Sequence, residues 1–204
     1  MLLTKASLAI RLSRLRVFDS ANLRREQYPT DSEIAADILW KAYLLGDLSC
    51  RTAADLGCGT GILGIGLLLW GVKRVHMIDS DEKALTIARE NLTGVKSEGS
   101  YDLIHADIAS FDRKVDLVVQ NPPFGTKVRG ADRAFLEKAF TLADVVYSFH
   151  KSSTAPFVKS MGSKHSFPVT HQWDYDFPLK HSHSFHRRNI HRVAVSAFRF
   201  VREK

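Results

Sequence analysis

The sequence predicts an α/β fold with a mostly parallel sheet covered by helices on both faces, and three observations carry this. Short β-type runs at 53–56, 75–78, 102–106, 115–119 and 145–149 alternate with helix-type stretches, and strands alternating with helices imply parallel pairing through crossover connections. The run Val115-Asp116-Leu117-Val118-Val119 is β-branched and stops abruptly at Asn121-Pro122-Pro123-Phe124, as a buried strand does where proline cannot donate to a ladder. Gly57, Gly59 and Gly61 fall between a strand and a helix, the one context in which such a loop signifies a ligand.

Taken in order, the chain opens with Arg11, Arg14 and Arg16 set among Leu8, Leu12 and Leu15, the spacing of an amphipathic basic helix. It lacks the continuous apolar region of a signal peptide. A polar connection over 19–26 leads to Thr30 and Glu33, which have the form of a capping box for a helix carrying Ile34, Ile38, Leu39, Ala42 and Leu45. Ala53 to Leu56 is a strand, Ile62 to Trp70 a helix, and Val75 to Ile78 a strand ending at Asp79. Asp81 is an N-cap for the next helix, which turns Ala84, Leu85, Ile87 and Ala88 inward. A third strand ends near Ala106, the fourth at Asn121, and a helix over Ala134 to Ala143 precedes a fifth strand, Val145 to Phe149. A helix is expected from Ser153 to about Met161 despite Pro156 in its first turn. The tail from Ser166 is rich in histidine and aromatics and closes on an alternating β-type segment, Ile190 to Val201.

At 204 residues the chain suits one substantial core. The reading is a single domain over 1–204: a basic helix and loop to residue 26, a binding and catalytic core over 27–165, and a β-hairpin tail over 166–204. The formal charge of +7 favours an anionic partner, and nucleic acid is the commonest. Cys50 and Cys58 are the two cysteines, so neither a disulfide framework nor a zinc knuckle is indicated, and a cytoplasmic location is expected. The longest apolar run, 62–70, is interrupted by Gly64 and Gly66 and is too short for a bilayer. His181, His183 and His186 lack an acid or cysteine to complete a metal site, so no metal is expected.

Asp79 stands about twenty residues beyond the glycine loop, at a strand end where an acid accepts from ribose hydroxyls. Asp81 competes for that role, and its place as a helix N-cap argues for Asp79. A nicotinamide dinucleotide is one candidate ligand, but Asp55 opens the loop with a negative charge that repels pyrophosphate. No second substrate domain and no hydride-transfer acid/base pair is evident. S-adenosyl-L-methionine fits better, having a ribose, an adenine, an ammonium and a sulfonium but no phosphate. At the second motif, the stiff Pro122-Pro123 turn presents the Asn121 amide, the Pro122 carbonyl and the Phe124 ring together. Two acceptors beside an aromatic face suit a planar group bearing an amine.

Asp55-Leu56-Gly57-Cys58-Gly59-Thr60-Gly61, Asp79 and Asn121-Pro122-Pro123-Phe124 together resemble the class I S-adenosylmethionine-dependent methyltransferases that modify amines. More narrowly, Gln27-Tyr28-Pro29-Thr30, Asn121 to Lys127 and Ser148 to Ser153 resemble the small archaeal and eukaryotic enzymes that methylate adenine N6 in small-subunit ribosomal RNA. The resemblance implies a Rossmann-like, seven-stranded fold and a product S-adenosyl-L-homocysteine. It places the cofactor over Gly57, Gly59, Thr60, Gly61 and Ile62, with Asp55 nearby, Asp79 on the ribose and Asp107 and Ile108 flanking the adenine. Gln27 and Thr30 would close over the methionine end, and Tyr28 would line the substrate pocket. Catalysis would rest on Asn121, Pro122, Pro123 and Phe124, with the target adenine stacked on Phe124. Lys127, Lys151, His186, Arg187 and Arg188 are the expected RNA contacts. Eukaryotic enzymes of this type work with a small zinc-containing activator protein that adds to the sheet at the third strand, here 101–106. Guanine N2 in RNA, DNA adenine and protein glutamine remain competing amines, and a non-catalytic cofactor- and RNA-binding protein is the competing class.

Overall fold

In the computed structural model, which describes residues 3–17, 30–123, 130–179 and 191–203, the sheet grows outward from Thr52–Leu56 (β1), buried from Ala53 onward. β1 pairs in parallel with Arg74–Asp79 (β2) on one side and with Leu117–Gln120 (β4) on the other. Ser100–His105 (β3) adds in parallel outside β2, and Val145–Lys151 (β5) outside β4. The chain then reverses. His191–Val201 (β7) pairs antiparallel with β5, and Val169–Leu179 (β6) closes the far edge antiparallel to β7. The full order is β3-β2-β1-β4-β5-β7-β6, so the expected mostly parallel seven-stranded sheet is borne out, including the terminal hairpin.

Helices cover both faces. Lys5–Leu12 (α1), Ser32–Leu44 (α2), Ile62–Leu69 (α3) and Glu82–Thr93 (α4) bury Leu8, Leu39, Ile65 and Leu85 against one side with Met77, Val119 and Phe149. Ala131–Leu142 (α5) and Ala155–Lys164 (α6) bury Leu136, Phe140 and Val158 against the other, with Ala54, Val118 and Phe198. Phe140 stacks on Phe167 with ring centroids 4.4 Å apart. Among the described residues no helix is long and apolar enough to cross a membrane.

Three local readings change. The capping box expected at Thr30 and Glu33 does not form: Asp31 is the N-cap of α2 and accepts from the Glu33 and Ile34 amides. An aspartate one residue later competes successfully because its carboxylate takes both orphan N–H groups. The helix after β5 begins with a 3₁₀ turn over Ser152–Thr154 and then runs to Lys164, with Pro156 in its first turn, where a missing N–H is harmless. The fourth strand starts at Leu117 because the Asp116 carboxylate turns to the Arg51 and Thr52 amides.

Packing between α2 and α3 depends on a close approach. A Cβ on Gly66 would lie 2.3 Å from Leu39 Cδ1. Gly66→Val should therefore destabilise by about 1–3 kcal/mol through overpacking, lowering Tm by about 2–4 °C per kcal/mol in a chain of this size. Differential scanning calorimetry checks this, and an unchanged Tm would show that α2 shifts freely.

Candidate active site

The strand order reverses between β2-β1 and β4-β5, so loops leaving β1 and β4 diverge at this point and open a crevice at the carboxyl edge of the sheet, where open α/β sheets bind ligands. The glycine loop leaves β1 here and Asn121-Pro122-Pro123 leaves β4. Two motifs 60 residues apart in sequence are thereby made neighbours.

The loop is a strained turn that glycine makes cheap. Gly57, Gly59 and Gly61 all have positive φ, at 67°, 55° and 91°, a region that side-chain-bearing residues enter only at a cost. The Gly57 and Cys58 amides donate to Ile78 O at 2.8 and 3.0 Å, stitching the turn to β2. The Gly59 amide donates to Asp79 Oδ2 at 2.7 Å, and the Asp81 amide donates to Asp79 Oδ1 at 2.8 Å. Asp79 thus holds the loop while standing at the strand end. A Cβ on Gly59 would meet nothing within 4 Å, which leaves that backbone open to a ligand.

Asp55 is almost wholly enclosed and accepts from the Gly64 amide at 2.8 Å, tying β1 to the first turn of α3. Burial pushes its carboxyl up to about 7, with the Asp79 charge adding to the rise. Burial likewise raises Asp79, against the backbone N–H groups that accept its charge. Two desolvated carboxylates beside one loop favour a cationic ligand and repel phosphate, which is the electrostatic character S-adenosylmethionine requires. Ile62, at 9% exposure, opens α3 under the loop. The Ala106 amide donates to Asp79 O at 3.1 Å, which sets the turn after β3 beside Asp79. In that turn Asp107 caps a 3₁₀ segment through the Ala109 amide at 2.8 Å, and Ile108 is half-buried.

Across the crevice, the Asn121 Nδ2 donates to Thr30 Oγ1 at 3.0 Å. Thr30 is free to accept because Asp31 does the capping. Asn121 Oδ1 is buried and has no hydrogen-bond partner among the described residues, an arrangement a folded protein seldom leaves unused. Pro122 is buried behind it and Pro123 half-buried. Lys151 ends β5, two strands from β1 at the same carboxyl edge. Gln27, Tyr28, Phe124, Lys127, His186, Arg187 and Arg188, with His181 and His183, lie outside the described residues. Among the described residues no group of three or more metal-ligating side chains gathers.

Residues 34–144 match the methyltransferase small domain. The chain belongs to that family. Among its curated relatives is the rRNA N(6)-adenosine-methyltransferase METTL5 of Danio rerio, 33% identical, covering 93% of this chain and 95% of the relative. The crystal structure of PH1948 from Pyrococcus horikoshii superposes with a TM-score of 0.86 at 39% identity, covering 99% of each chain. The magnesium protoporphyrin IX methyltransferase ChlM of Synechocystis PCC 6803, solved with bound SAM, shares the fold at a TM-score of 0.64 and 14% identity, over 95% of this chain and 90% of its own.

In this methyltransferase, four residues outside the expected site set shape the site, two of them, Ser148 and His150, within the Ser148 to Ser153 stretch that carries the family resemblance. Gln120, Ser148 and His150 form a buried chain under Asn121: Gln120 Nε2 donates to Ser148 Oγ at 3.0 Å, and Ser148 Oγ lies 2.7 Å from His150 Nε2. Burial pushes His150 down to about 3, so its ring is neutral and Nε2 shares one hydrogen bond with the Ser148 hydroxyl. The register Gln120↔Ser148 creates this chain, and pairing register is invisible before the sheet is assembled. The fourth is Asn91, whose Nδ2 donates to Thr60 O at 2.9 Å and so braces the buried Thr60 of the glycine loop. A polar residue on an otherwise apolar helix face was its one faint sequence signal.

Thr30→Val should release the Asn121 amide while keeping the side chain's shape. Turnover should fall by about tenfold, the worth of one hydrogen bond of about 1.4 kcal/mol. Cofactor titration and steady-state rates together check this. Unchanged turnover would show that Asn121 is oriented by other contacts.

Proposed function

We propose that the chain transfers a methyl group from S-adenosyl-L-methionine to N6 of an adenine in RNA, that of the small ribosomal subunit. One observation carries the reading: Asn121 Oδ1 is buried, without a partner among the described residues, and beside the Pro122 carbonyl at the switch point, with its own amide nitrogen already engaged by Thr30. Two adjacent acceptors match an exocyclic amine. The similarity to METTL5 over nearly the whole chain supports adenine, and the charge of +7 supports RNA.

S-adenosylmethionine, when bound, supplies an electrophilic methyl on a cationic sulfur and leaves as S-adenosyl-L-homocysteine. The loop over Gly57 to Gly61 would bind it, with Asp79 taking the ribose, Asp55 facing the positive end, and Asp107 and Ile108 flanking the adenine. Asn121 Oδ1 and the Pro122 carbonyl accept the two N6 hydrogens of an unpaired or flipped adenine, and Phe124 supports its ring. Held so, the nitrogen lone pair would leave conjugation and be free to take the methyl group as the carbon–sulfur bond breaks, and the methylated nitrogen would then give one of its two hydrogens to water as a proton. Positioning and fixed dipoles supply the acceleration, and no covalent enzyme intermediate is needed. Tyr28 and Gln27 would complete the pocket, and Lys127, Lys151, His186, Arg187 and Arg188 would meet the RNA backbone.

A partner is proposed at the outer edge of the sheet. Among the described residues β3 pairs with β2 alone and leaves its other side open to strand addition, with Tyr101 44% exposed there. A small zinc-containing activator protein would add to this edge. Free Cys50 and Cys58 suit action in the reducing cytoplasm.

The test is incorporation of labelled methyl into separated small-subunit RNA, large-subunit RNA, tRNA, DNA and protein, followed by digestion to nucleosides. N6-methyladenosine from small-subunit RNA is the expected product. Label on guanosine, on DNA or on protein glutamine would overturn the substrate, and cofactor binding without transfer, persisting in cell extract, would overturn the enzyme reading.

A further inference from the structure

Away from the crevice, on the outer side of α3, the chain forms a second concavity. It has a volume of about 510 Å³ and is bounded by α1, the turn that follows it, and the end of α4. Among the described residues Arg11, Arg14, Arg16 and Lys96 line it, against one carboxylate, Glu90, with the apolar set Leu15, Ile65, Leu69 and Val95. All four cations are exposed.

This is more than a solvated basic face, because its backbone is fixed. Asn91, nine-tenths buried, accepts from the Arg16 amide at 2.8 Å and donates to Arg16 O at 3.0 Å. The same side chain donates to Thr60 O in the glycine loop. The turn bearing Arg14 and Arg16 is therefore clamped at both backbone polar groups of Arg16, and Glu90 pairs with the Arg16 guanidinium. Arg11, at the end of α1, and Arg14 stand one turn apart, linked by the Arg14 amide on Arg11 O at 3.3 Å. Four cations around an apolar floor fit a chain that alternates charged phosphates with sugars and bases. An acidic protein surface fits less well, since the floor would then face carboxylates.

We infer that this concavity binds the phosphate backbone of the substrate RNA at a point remote from the methylated base. The inference rests on the proposed RNA substrate. Backbone contacts of this kind hold register and add affinity without reading sequence. They act on substrate binding and leave the chemical step alone. Because Asn91 joins the concavity to the glycine loop, the RNA-bound turn and the cofactor loop share one brace.

The experiment compares the full-length protein with Arg11→Gln/Arg14→Gln and with Lys159→Gln/Lys164→Gln. The second pair removes the same charge from α6, on the opposite face of the sheet. Binding of a small-subunit RNA fragment is measured by fluorescence anisotropy over a range of salt, alongside methyl-transfer kinetics and cofactor affinity. The α1 variant should bind RNA about tenfold more weakly, and its salt slope should drop by about 1.4, at about 0.7 per phosphate of a single strand. KM for RNA should rise with kcat and cofactor Kd unchanged, and the α6 variant should behave as wild type. Wild-type RNA affinity and salt slope in the α1 variant, with RNA still methylated, would overturn this inference and leave the proposed function standing. Equal losses in both variants would also overturn it, by reducing the effect to net charge. A wild-type protein that neither binds nor methylates the RNA would overturn the proposed function itself.

Discussion

Asn121→Ala should lower kcat by roughly 10²–10³, the loss that follows removal of one preorganised polar group at a reacting centre, while cofactor affinity stays within the scatter of repeat titrations. The asymmetry follows from where the side chain works. Its amide nitrogen is taken by Thr30, and its oxygen is buried with no partner among the described residues, so the oxygen makes its interaction only when an amine enters. An interaction absent from the cofactor complex and present during transfer affects turnover alone. Asn121→Asp refines the test. The new carboxylate loses the donor that Thr30 accepts from, and it adds a third negative charge to a crevice that already holds Asp55 and Asp79. It should be at least as inactive as the alanine variant, although it still offers an oxygen. Turnover and cofactor affinity falling together in Asn121→Ala would place the residue in cofactor binding and remove it from catalysis.

Much of this site was legible from residue types. The glycine loop between strand and helix, the acid at the end of β2 and the Asn-Pro-Pro turn after β4 all stand where local sequence put them, because each depends on backbone rules that act over a few residues. Asp81 is likewise the N-cap it was expected to be, taking the Lys83 amide. What local rules could not deliver was pairing across the sheet. The stretch from Ser148 to Ser153 marked a family resemblance, but Ser148 and His150 had no role of their own until β4 and β5 align and set Gln120 opposite Ser148. Thr30 read as a helix cap, since its hydroxyl suits either an N-terminal amide or a distant amide nitrogen. The choice was made by Asp31, a better acceptor one residue further on. Asn91 reads as a helix-end polar residue, and its three backbone partners appear only when the turn after α1 packs against α4.

The second large effect concerns Asp55. Its carboxyl is raised to about 7 from an ordinary value of 3.8, so the folded protein binds a proton more tightly there than the unfolded chain does. By linkage, the stability contributed by this site is fully present below pH 3.8 and is lost as pH rises through about 7. The loss is on the order of 4 kcal/mol at the usual conversion of pKa into free energy. His150 and His76 complicate the wild-type curve: burial holds both below their ordinary value, so each destabilises as pH falls below about 6.5. Their sign is opposite to that of Asp55 within an overlapping window. The difference between wild type and Asp55→Asn isolates the carboxyl, because an amide oxygen can still accept from Gly64 and the histidines cancel. Relative to Asp55→Asn, wild type should lose stability from about pH 4 to about pH 7 and level off above it. Urea unfolding across that range measures the difference, and parallel curves would place the Asp55 pKa at its unfolded value. The functional consequence runs the other way. A cation arriving at the loop is attracted by the ionised carboxylate, so wild-type cofactor binding should strengthen as pH rises through about 7 and should release a proton at about pH 6, where the free carboxyl is protonated. Asp55→Asn should bind cofactor more weakly at about pH 8 and release no proton at about pH 6. Calorimetry at about pH 6 in two buffers of different ionisation enthalpy reads that proton directly. Equal heats in both buffers for wild type would confine Asp55 to its structural bond with Gly64 and leave Asp79 as the acid that meets the ligand.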